Sequence, residues 1–483
     1  MSESHSGRRA FLRQSALAVG AVAAPMQVVT AGVLPPYRRQ EWQTFKNGAH
    51  YSALVNAIGT MKSNTNVNDP ASWAYWVNIH LTRCTHGVPY FLGWHRGYLY
   101  HFEKQLRLVS GDIDLVLPYW DYYANPNLPA EFTNPTPGNP LYASRVNTNV
   151  KPALSMNPFS GTLINLETGT SEAFEPSVET APHNTFHNIV GGVMAAMESP
   201  IDPIFWLHHA NVDRLWVAWV AAGGGRKMLP ISSLYWSGNY IYTSTLTMPR
   251  THTYDTRTNL SYYYQDETLP TALPALAAGE GATSLLATGS SRMPALPAIG
   301  TFRLSNPRAT GDATFATAGA LQVALGERSV GVQLPSSSDH SQAIARIARG
   351  NAAPIRGSVL KYKSVHVVLD DIAITPEGSN GGYFYNVYLN VAAARSARSD
   401  RSASRASLIG TLGPFQVRAA AHQRGGPAKL RYVVTHLLAD IPAVDIGMAT
   451  VSFVRMNGDH SPAGPAIEIG EVRIEVSADE DES

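Results

Sequence analysis

The stretch that decides the fold of this chain runs from His80 to Glu103 and reads HLTRCTHGVPYFLGWHRGYLYHFE. It contains four histidines, of which His80, His86 and His95 form the first cluster. Apolar residues follow His95 at helical spacings, so we expect His95 to open a helix that runs through Glu103. His80 and His86 are then expected at the end of a preceding helix and in the loop after it.

A second histidine cluster follows in two pieces, HNTFH at His183–His187 and DPIFWLHHANVDR at Asp202–Arg214. His183 and His187 are four residues apart, which predicts that both lie on one face of a helix and can meet one ion. The second piece has a helical apolar pattern and carries His209. Its i+4 neighbour Asp213 is expected to orient nearby imidazoles or to pair with an arginine.

Three imidazoles in each cluster, with no carboxylate or thiolate at the matching spacing, predict a pair of transition-metal sites. Imidazole suits copper, zinc, iron and nickel, and copper has the highest affinity among divalent ions of this series. The alternative of ordinary core histidines is disfavoured, because six of the 16 histidines fall at these spacings. A dizinc hydrolase is disfavoured because such sites normally include carboxylate ligands.

The composition excludes some classes of partner. The chain has 483 residues, a net charge of +1 and 44% hydrophobic residues. This charge offers no electrostatic basis for binding nucleic acid or an anionic membrane. No stretch is long and apolar enough to predict a membrane span. No oligomeric state is predicted.

The beginning of the chain, SGRRAFLRQSALAVGAVAAP, contains the pair Arg8 and Arg9 followed by a short apolar run. This pattern predicts a twin-arginine export signal over residues 1–31, and hence a periplasmic or secreted protein. The apolar run is too short to span a membrane. An amphipathic N-terminal helix is the alternative.

The rest of the chain divides by composition. Residues 32–265 are rich in Trp, Tyr and His and predict a mainly α-helical domain with long loops. Residues 266–300 are rich in Ala, Gly and Pro and predict a linker. Residues 301–483 predict an all-β antiparallel sandwich, with an exposed loop at Arg395–Arg405. The strands are predicted where the pattern alternates, at residues 360–371, 385–391, 431–438, 449–456 and 467–476.

Both histidine clusters resemble the motifs of the type-3 copper family, which comprises tyrosinases, catechol oxidases and haemocyanins. The first motif is matched from His86 through Trp94-His95-Arg96 to Glu103, and the second from Asp202-Pro203 through His209 to Asp213. The resemblance implies a four-helix bundle around two copper ions that bind O2. It also implies the ligand sets, in which His208 lies beside the site and His50 is the only upstream substitute for His80. The ligands would be His80, His86 and His95 for one copper and His183, His187 and His209 for the other.

The resemblance covers nearly the whole chain after the signal. Tyr37-Arg38-Arg39 resembles the start of plant and some bacterial polyphenol oxidases, and Tyr262 and Tyr264 resemble the tyrosine motif that closes their catalytic domain. Residues 385–390 resemble the signature of the plant-type C-terminal β domain, with departures at Phe384 and Asn386. This layout implies that the β domain covers the copper site and keeps the enzyme latent.

Further site residues are implied by the same resemblance. Cys84-Thr85-His86 matches a Cys-x-His sequence that forms a thioether in fungal and molluscan members; a small buried thiol is the alternative. Glu179 and Asn184 match residues that hold a water able to deprotonate monophenols. The segment containing Met194, Ala196 and Met197 corresponds to the region that gates the substrate pocket, although these residues also suit ordinary loop packing.

The expected function is O2-dependent oxidation of phenols and catechols to ortho-quinones by a copper oxidoreductase, with some hydroxylation of monophenols. Two alternatives share the fold and the metal. An ortho-aminophenol oxidase would differ in its substrate, and a haemocyanin-like carrier would bind O2 without turnover.

Overall fold

The computed structural model describes residues 36–170, 172–275, 297–355, 358–391 and 405–479. The expected export signal therefore lies outside the described residues. So do most of the expected linker and all but the last residue of the loop at Arg395–Arg405. We call residues 36–275 the helical region and residues 297–479 the strand-rich region.

The helices are α1 (Trp42–Phe45), α2 (Tyr51–Ser63), α3 (Trp73–Arg83), α4 (Phe91–Ser110), α5 (Ala130–Thr133), α6 (Phe174–Val178), α7 (Thr185–Val190), α8 (Ile204–Ala221), α9 (Ser338–Ala348), α10 (Pro414–Arg424) and α11 (Ala443–Ile446). Short 3₁₀ turns lie at Lys151–Ala153, Asn157–Phe159, Gly192–Ala195, Ser199–Ile201, Leu234–Trp236, Arg250–Thr253 and Thr435–Leu438, and Glu179–Asn184 forms a wider irregular turn.

The strands are β1 (Tyr37–Arg39), β2 (Asn239–Ile241), β3 (Thr247–Pro249), β4 (Tyr262–Tyr264), β5 (Arg303–Ser305), β6 (Arg308–Ala309), β7 (Thr314–Leu325), β8 (Val330–Gln333), β9 (Ala353–Pro354), β10 (Lys361–Tyr362), β11 (Ser364–Ile374), β12 (Tyr383–Val391), β13 (Arg405–Leu412), β14 (Ala428–Val433), β15 (Thr450–Asn457) and β16 (Ile467–Ser477).

The core of the helical region is built from large aromatic side chains on α3, α4 and α8. The Ser72 side chain caps α3 by accepting a hydrogen bond from the Ala74 N–H. Helix α4 is capped at its C-terminal end by Gly111, whose φ of 71° suits a residue without Cβ. Phe102 of α4 stacks on Trp206 of α8 with ring centroids 3.4 Å apart. This packing holds in place the two helices that carry His95 and His209.

A buried charge cluster ties the two ends of the helical region together. β1 pairs in parallel with β4, and this brings Arg39 to Glu103 at 2.8 Å. Asp213 accepts hydrogen bonds from the hydroxyls of Tyr262 and Tyr264 and from Arg96 at 2.6 Å. Burial alone would raise the pKa of Asp213, but the adjacent arginines hold it below its ordinary value. Of the two roles expected for Asp213, the structure shows the pairing with arginine.

Two antiparallel sheets make up most of the strand-rich region. The first has the strand order β14-β11-β16-β7-β5, with β6 also paired to β7, and the second has the order β13-β12-β15-β8. Buried side chains from both sheets belong to one hydrophobic cluster, including Val367, Val472, Val387 and Val451. The two sheets therefore share a core.

The expectation that this region is all-β is wrong, because it also contains helices. Helix α9 begins after Ser337, whose side chain accepts a hydrogen bond from the His340 N–H, and it buries Ile344 and Ile347 on one face. Helix α10 begins with Pro414, a residue suited to the first turn of a helix. Among the residues that the structure describes, no helix is both long and apolar enough to cross a membrane.

Helix α10 and the loops near it pack against the helical region. The Gly382 N–H donates to the Asn188 carbonyl at 2.8 Å, and the Gly192 N–H donates to the Asn380 carbonyl at 2.7 Å. A third contact joins the His460 N–H to Asn147 Oδ1 at 2.6 Å. These bonds hold one end of the strand-rich region against α7, the helix that carries His187.

Candidate metal centre

The first histidine cluster lies on two helices and the segment between them. His80 is in the last turn of α3, His86 follows that helix, and His95 is near the start of α4. All three are buried, with relative exposures of 0%, 6% and 3%. Their ring centroids are 5.6 to 5.8 Å apart. The structure places these residues on the elements that the sequence predicts.

The second cluster combines an irregular turn with two helices. His183 lies in the turn Glu179–Asn184, His187 in α7 and His209 in α8. The helical backbone breaks before both histidines, at Ala181, which has extended backbone angles and precedes Pro182. The backbone is helical from Asn184 onward. The His183 and His187 rings therefore still meet, with centroids 4.6 Å apart.

The two clusters face each other across a small buried space. The His95 and His209 rings stack with centroids 4.3 Å apart, and those of His86 and His183 with centroids 5.5 Å apart. Within the second cluster, Nε2 of His183 is 3.3 Å from Nε2 of His209. Six imidazoles from distant parts of the chain thus converge on one volume.

Backbone carbonyls set the orientation of three of these imidazoles. Nδ1 of His80 is 2.7 Å from the Met197 carbonyl, and Nδ1 of His187 is 2.7 Å from the Met194 carbonyl. Nδ1 of His95 is 2.9 Å from the Phe91 carbonyl. A carbonyl can only accept, so each Nδ1 carries the proton and each Nε2 is left with a free lone pair.

Burial keeps the six imidazoles neutral. Removal from water lowers the pKa of His80 to about 4 and that of His187 to about 3, although in both cases the carbonyl bond opposes the shift. Burial, followed by the neighbouring imidazoles, lowers the pKa values of the other four. Neutral imidazole is the form that binds a metal ion.

These residues fit a pair of metal ions. In each of two groups, His80, Cys84, His86 and His95, and His183, His187, His208 and His209, the potential ligand atoms all lie within 4.8 Å of one another. Neither of these groups includes a carboxylate. The buried Nε2 atoms of His80 and His187 have no hydrogen-bond partner in the described structure. A buried nitrogen with a free lone pair is costly unless something binds it, and a metal ion would do so.

Comparison with known proteins agrees with this geometry. The family model for the common central domain of tyrosinase matches residues 50–171 and 134–222. A tyrosinase of Streptomyces glaucescens is 33% identical over 190 residues, which are 31% of this chain and 68% of that protein. This chain belongs to the tyrosinase family of type-3 copper proteins. The prediction of a type-3 copper protein is confirmed, and the six imidazoles can hold the dicopper centre of that family, for which O2 is the usual co-substrate.

Other relatives of the family are matched over smaller shares of their length. A tyrosinase of Hahella sp. is 34% identical over 35% of this chain and 50% of its own, so this chain spans about half of that relative. A haemocyanin of Enteroctopus dofleini is 33% identical over 32% of this chain and 6% of its own. A solved structure of latent aurone synthase (polyphenol oxidase) aligns over 92% of this chain and 91% of its own, with 16% identity and a TM-score of 0.48, a likeness too weak to support a function.

The segment with Met194, Ala196 and Met197 supplies backbone carbonyls to the tyrosinase-family site. Met194 and Met197 are buried, and their carbonyls are the ones that orient His187 and His80. Ala196 and Met197 line a cleft of about 450 Å³ between this segment and α10, which also contributes Arg418. The sequence does not reveal the role of the two carbonyls, since nothing in a side-chain pattern marks a backbone acceptor.

Glu179 and Asn184 lie beside the second cluster. Glu179 Oε1 accepts a hydrogen bond from the Gly87 N–H at 2.7 Å, and Asn184 Oδ1 is 2.9 Å from Nδ1 of His183. Burial raises the pKa of Glu179 to about 8; the Gly87 N–H opposes this shift and nearby Glu175 adds to it. The structure therefore brings both residues close to histidines of the two clusters.

His208 lies next to the site, in contact with aromatic side chains. Its ring stacks on Phe186 with centroids 3.8 Å apart and an interplanar angle of 3°. Both of its ring nitrogens are buried without a hydrogen-bond partner among the described residues. By contrast, His209 stacks on His95 of the opposite cluster. The structure brings both His208 and His209 within reach of the second cluster, and the choice of His209 as the ligand stays a prediction.

Cys84 lies inside the first cluster. Its Sγ is 3.6 Å from Nδ1 and 3.6 Å from Nε2 of His86, and 3.3 Å from Nε2 of His95. The equal distances place Sγ in the plane that bisects the two nitrogens of His86, and Cε1 lies in that plane. Burial raises the pKa of the thiol.

A phenylalanine of the strand-rich region covers the tyrosinase-family site. The Phe415 ring stacks on His187 with centroids 4.1 Å apart, and its edge contacts with His86 and His183 have centroid distances of 5.1 and 5.6 Å. Phe415 is fully buried. The resemblance implies a cover but does not identify this residue, because one phenylalanine among the 14 of the chain carries no distinguishing pattern.

Proposed function

We propose that this protein is a copper oxidoreductase that uses O2 to oxidise phenols and catechols to ortho-quinones. The observation that carries the proposal is the pair of facing, fully buried imidazole clusters in a chain of the tyrosinase family. The relatives named as tyrosinases support the activity, while the haemocyanin match keeps an O2 carrier as the alternative.

The two copper ions would supply one electron each to O2 and a coordination site for the phenol oxygen. The protein's part is to hold six neutral imidazoles in fixed tautomers, which the carbonyls of Met194, Met197 and Phe91 do for three of them. The apolar surroundings of Phe91 and Phe205 exclude water from the space between the clusters. One face of the His187 ring is covered by Phe415. Once Phe415 moves away, an aromatic substrate ring can stack on that face.

The test is turnover of 4-methylcatechol by the copper-loaded full-length protein. We expect O2 consumption together with quinone absorbance, and neither with the His187→Ala variant. Reversible O2 binding without quinone would support the haemocyanin-like carrier instead. A higher kcat/KM for an ortho-aminophenol than for the catechol would support the ortho-aminophenol oxidase.

We also propose that the protein hydroxylates monophenols, with Glu179 and Asn184 holding the water that accepts the phenolic proton. Support comes from the burial of Glu179 and from the contact of Asn184 with His183. Glu179→Gln keeps the shape and the acceptor for the Gly87 N–H but removes the carboxylate. It should lower the rate on tyramine at least tenfold and leave the rate on the corresponding catechol nearly unchanged. An equal loss on both substrates would rule out a role specific to monophenols.

The proposed architecture follows the expected layout. It consists of a four-helix bundle in the domain 32–265, a linker over 266–300 and a sandwich of the two sheets in 301–483. The shared core of the two sheets supports this division, as does the aromatic core of the helical region, which also takes in Phe384, Phe415, Ala419 and Met456 of the strand-rich region. We propose that the second domain keeps the enzyme latent through Phe415, and that residues 1–31 direct export.

A further inference from the structure

Phe415 occupies the place that a substrate ring would need. Its ring is stacked on His187 and contacts His86 of the other cluster by its edge. A phenol that brings its oxygen to both clusters would have to take this volume, because the surrounding side chains are buried. The residues that contact Phe415 are therefore the ones that a substrate ring in the same place would contact.

The backbone of Phe415 is held as specifically as its ring. Its N–H donates to Oδ1 of Asn188 at 2.8 Å, and Asn188 follows His187 directly in α7. The nitrogen is separated from the ring by Cβ and Cα. The same arrangement, a ring, two carbons and a nitrogen, occurs in tyramine, dopamine and peptide-bound tyrosine.

Asn188 depends on α10 for both described hydrogen bonds of its side chain. Oδ1 accepts from Phe415, and Nδ2 donates to Oε1 of Gln416 at 2.6 Å. Asn188 is fully buried. When α10 moves away, the amide loses both partners next to the open face of His187. A polar group in such a place favours ligands that restore its hydrogen bonds.

We propose that Asn188 is a specificity-determining residue that accepts a hydrogen bond from a substrate nitrogen two carbons from the aromatic ring. The inference rests on the proposed function and adds the class of side chain that the site prefers. Amine- or amide-bearing phenols are favoured over equally large phenols with an apolar chain. In the covered state the same oxygen accepts from the Phe415 N–H.

The competing explanation is that Asn188 serves only to hold α10. The residue before this helix, Gly413, has no side chain to cap it, and Asn188 provides the missing acceptor. Loss of Asn188 would then raise the activity on every substrate by the same factor. The ratio of two kcat/KM values separates the two explanations, because uncovering the site multiplies both values equally and cancels in the ratio.

The experiment compares dopamine with 4-propylcatechol, in which a methyl group replaces the amine, on the copper-loaded full-length protein. We expect Asn188→Ala to lower the ratio of kcat/KM for dopamine to kcat/KM for 4-propylcatechol about tenfold or more. Loss of one hydrogen bond to a charged group has an effect of this size. Asn188→Asp, which keeps an acceptor, should preserve or raise the ratio. Gln416→Ala removes the partner on α10 alone and should leave the ratio unchanged.

A second measurement does not depend on turnover. Calorimetry with phenethylamine, which has no hydroxyl to oxidise, is carried out on the Phe415→Ala variant with and without Asn188→Ala. We expect the added substitution to raise Kd about tenfold. An unchanged ratio together with an unchanged Kd would overturn the inference. Absence of turnover with both catechols in every variant would contradict the proposed function, and the calorimetric result would still decide the role of Asn188.

Discussion

The ring of Phe415 lies nearly parallel to the imidazole of His187, with an interplanar angle of 17° and 4.1 Å between centroids. One residue belongs to the strand-rich region and the other to the second histidine cluster. Stacking of this kind contributes about 0.5–1.5 kcal/mol beyond the burial of area. The contact makes the access of an aromatic substrate depend on the position of α10.

Phe415→Ala should raise kcat/KM for a small catechol several-fold in the full-length protein. The substitution removes the ring that fills the space above His187, so a catechol no longer competes with it. The measurement is initial quinone formation at matched copper content. Val417→Ala is the control, because Val417 lies in the same helix but belongs to the core of the strand-rich region. Equal rates for the native protein and Phe415→Ala would show that the ring does not limit access.

Gly413→Ala should uncover the site by displacing α10. A Cβ at Gly413 would lie 2.5 Å from the side chain of Asn188, which is buried and cannot move aside freely. The backbone of Gly413 is extended, so alanine adds no conformational strain of its own. We expect higher activity and faster proteolysis near α10. Gly426→Ala, where a Cβ meets nothing within 4 Å, should change neither.

His95→Ala and His187→Ala should each bind one copper ion fewer than the native protein and lose oxidation of catechols. Each substitution removes one of three imidazoles from a cluster, and the opposite cluster keeps all of its own. Metal analysis of the purified variants provides the measurement. His252→Ala, at an exposed position away from both clusters, should retain full copper. Full copper in either cluster variant would refute the assignment of that histidine.

Copper-loaded protein should contain a thioether between Cys84 and His86. Forming it removes one hydrogen from the thiol and one from the imidazole ring, with O2 as the oxidant. The intact mass should therefore be lower than the sequence mass by two hydrogen atoms, and a tryptic peptide spanning both residues should show the same loss. Cys84→Ser should show no such difference. A thiol that reacts with a titrant after unfolding would contradict this prediction.

Asp213→Asn should destabilise the helical region by about 3–5 kcal/mol, since it removes the carboxylate that pairs with buried Arg96 and the second carboxylate beside Arg39. Arg96 and Arg39 lie 2.6 and 3.5 Å from that carboxylate. Urea unfolding followed by tryptophan fluorescence reports on this region, because all nine tryptophans lie between Trp42 and Trp236. Asp312→Asn, at an exposed position, should have little effect. A loss below about 1 kcal/mol would show that the cluster tolerates an unpaired arginine.

The strands with alternating apolar residues could be predicted from the sequence, and the others could not. The segments predicted at 360–371, 385–391, 449–456 and 467–476 overlap β11, β12, β15 and β16. β7 was missed because TFATAGALQVAL is rich in residues with low strand propensity, and it is a strand because two partners flank it. Helix α10 was missed for a different reason, because it is short and follows strand β13 almost directly.

Much of the metal centre was determined locally by the sequence. The helical pattern around His95 and His209, and the spacing of His183 and His187, follow from periodicities that a few residues establish. The tertiary structure alone decided which groups surround those imidazoles. The carbonyls of Met194 and Met197 reach their histidines by the path of the backbone, and Asn188 meets Phe415 across 227 residues. Such contacts depend on how distant segments pack, and the pattern of side chains within one segment does not specify that packing.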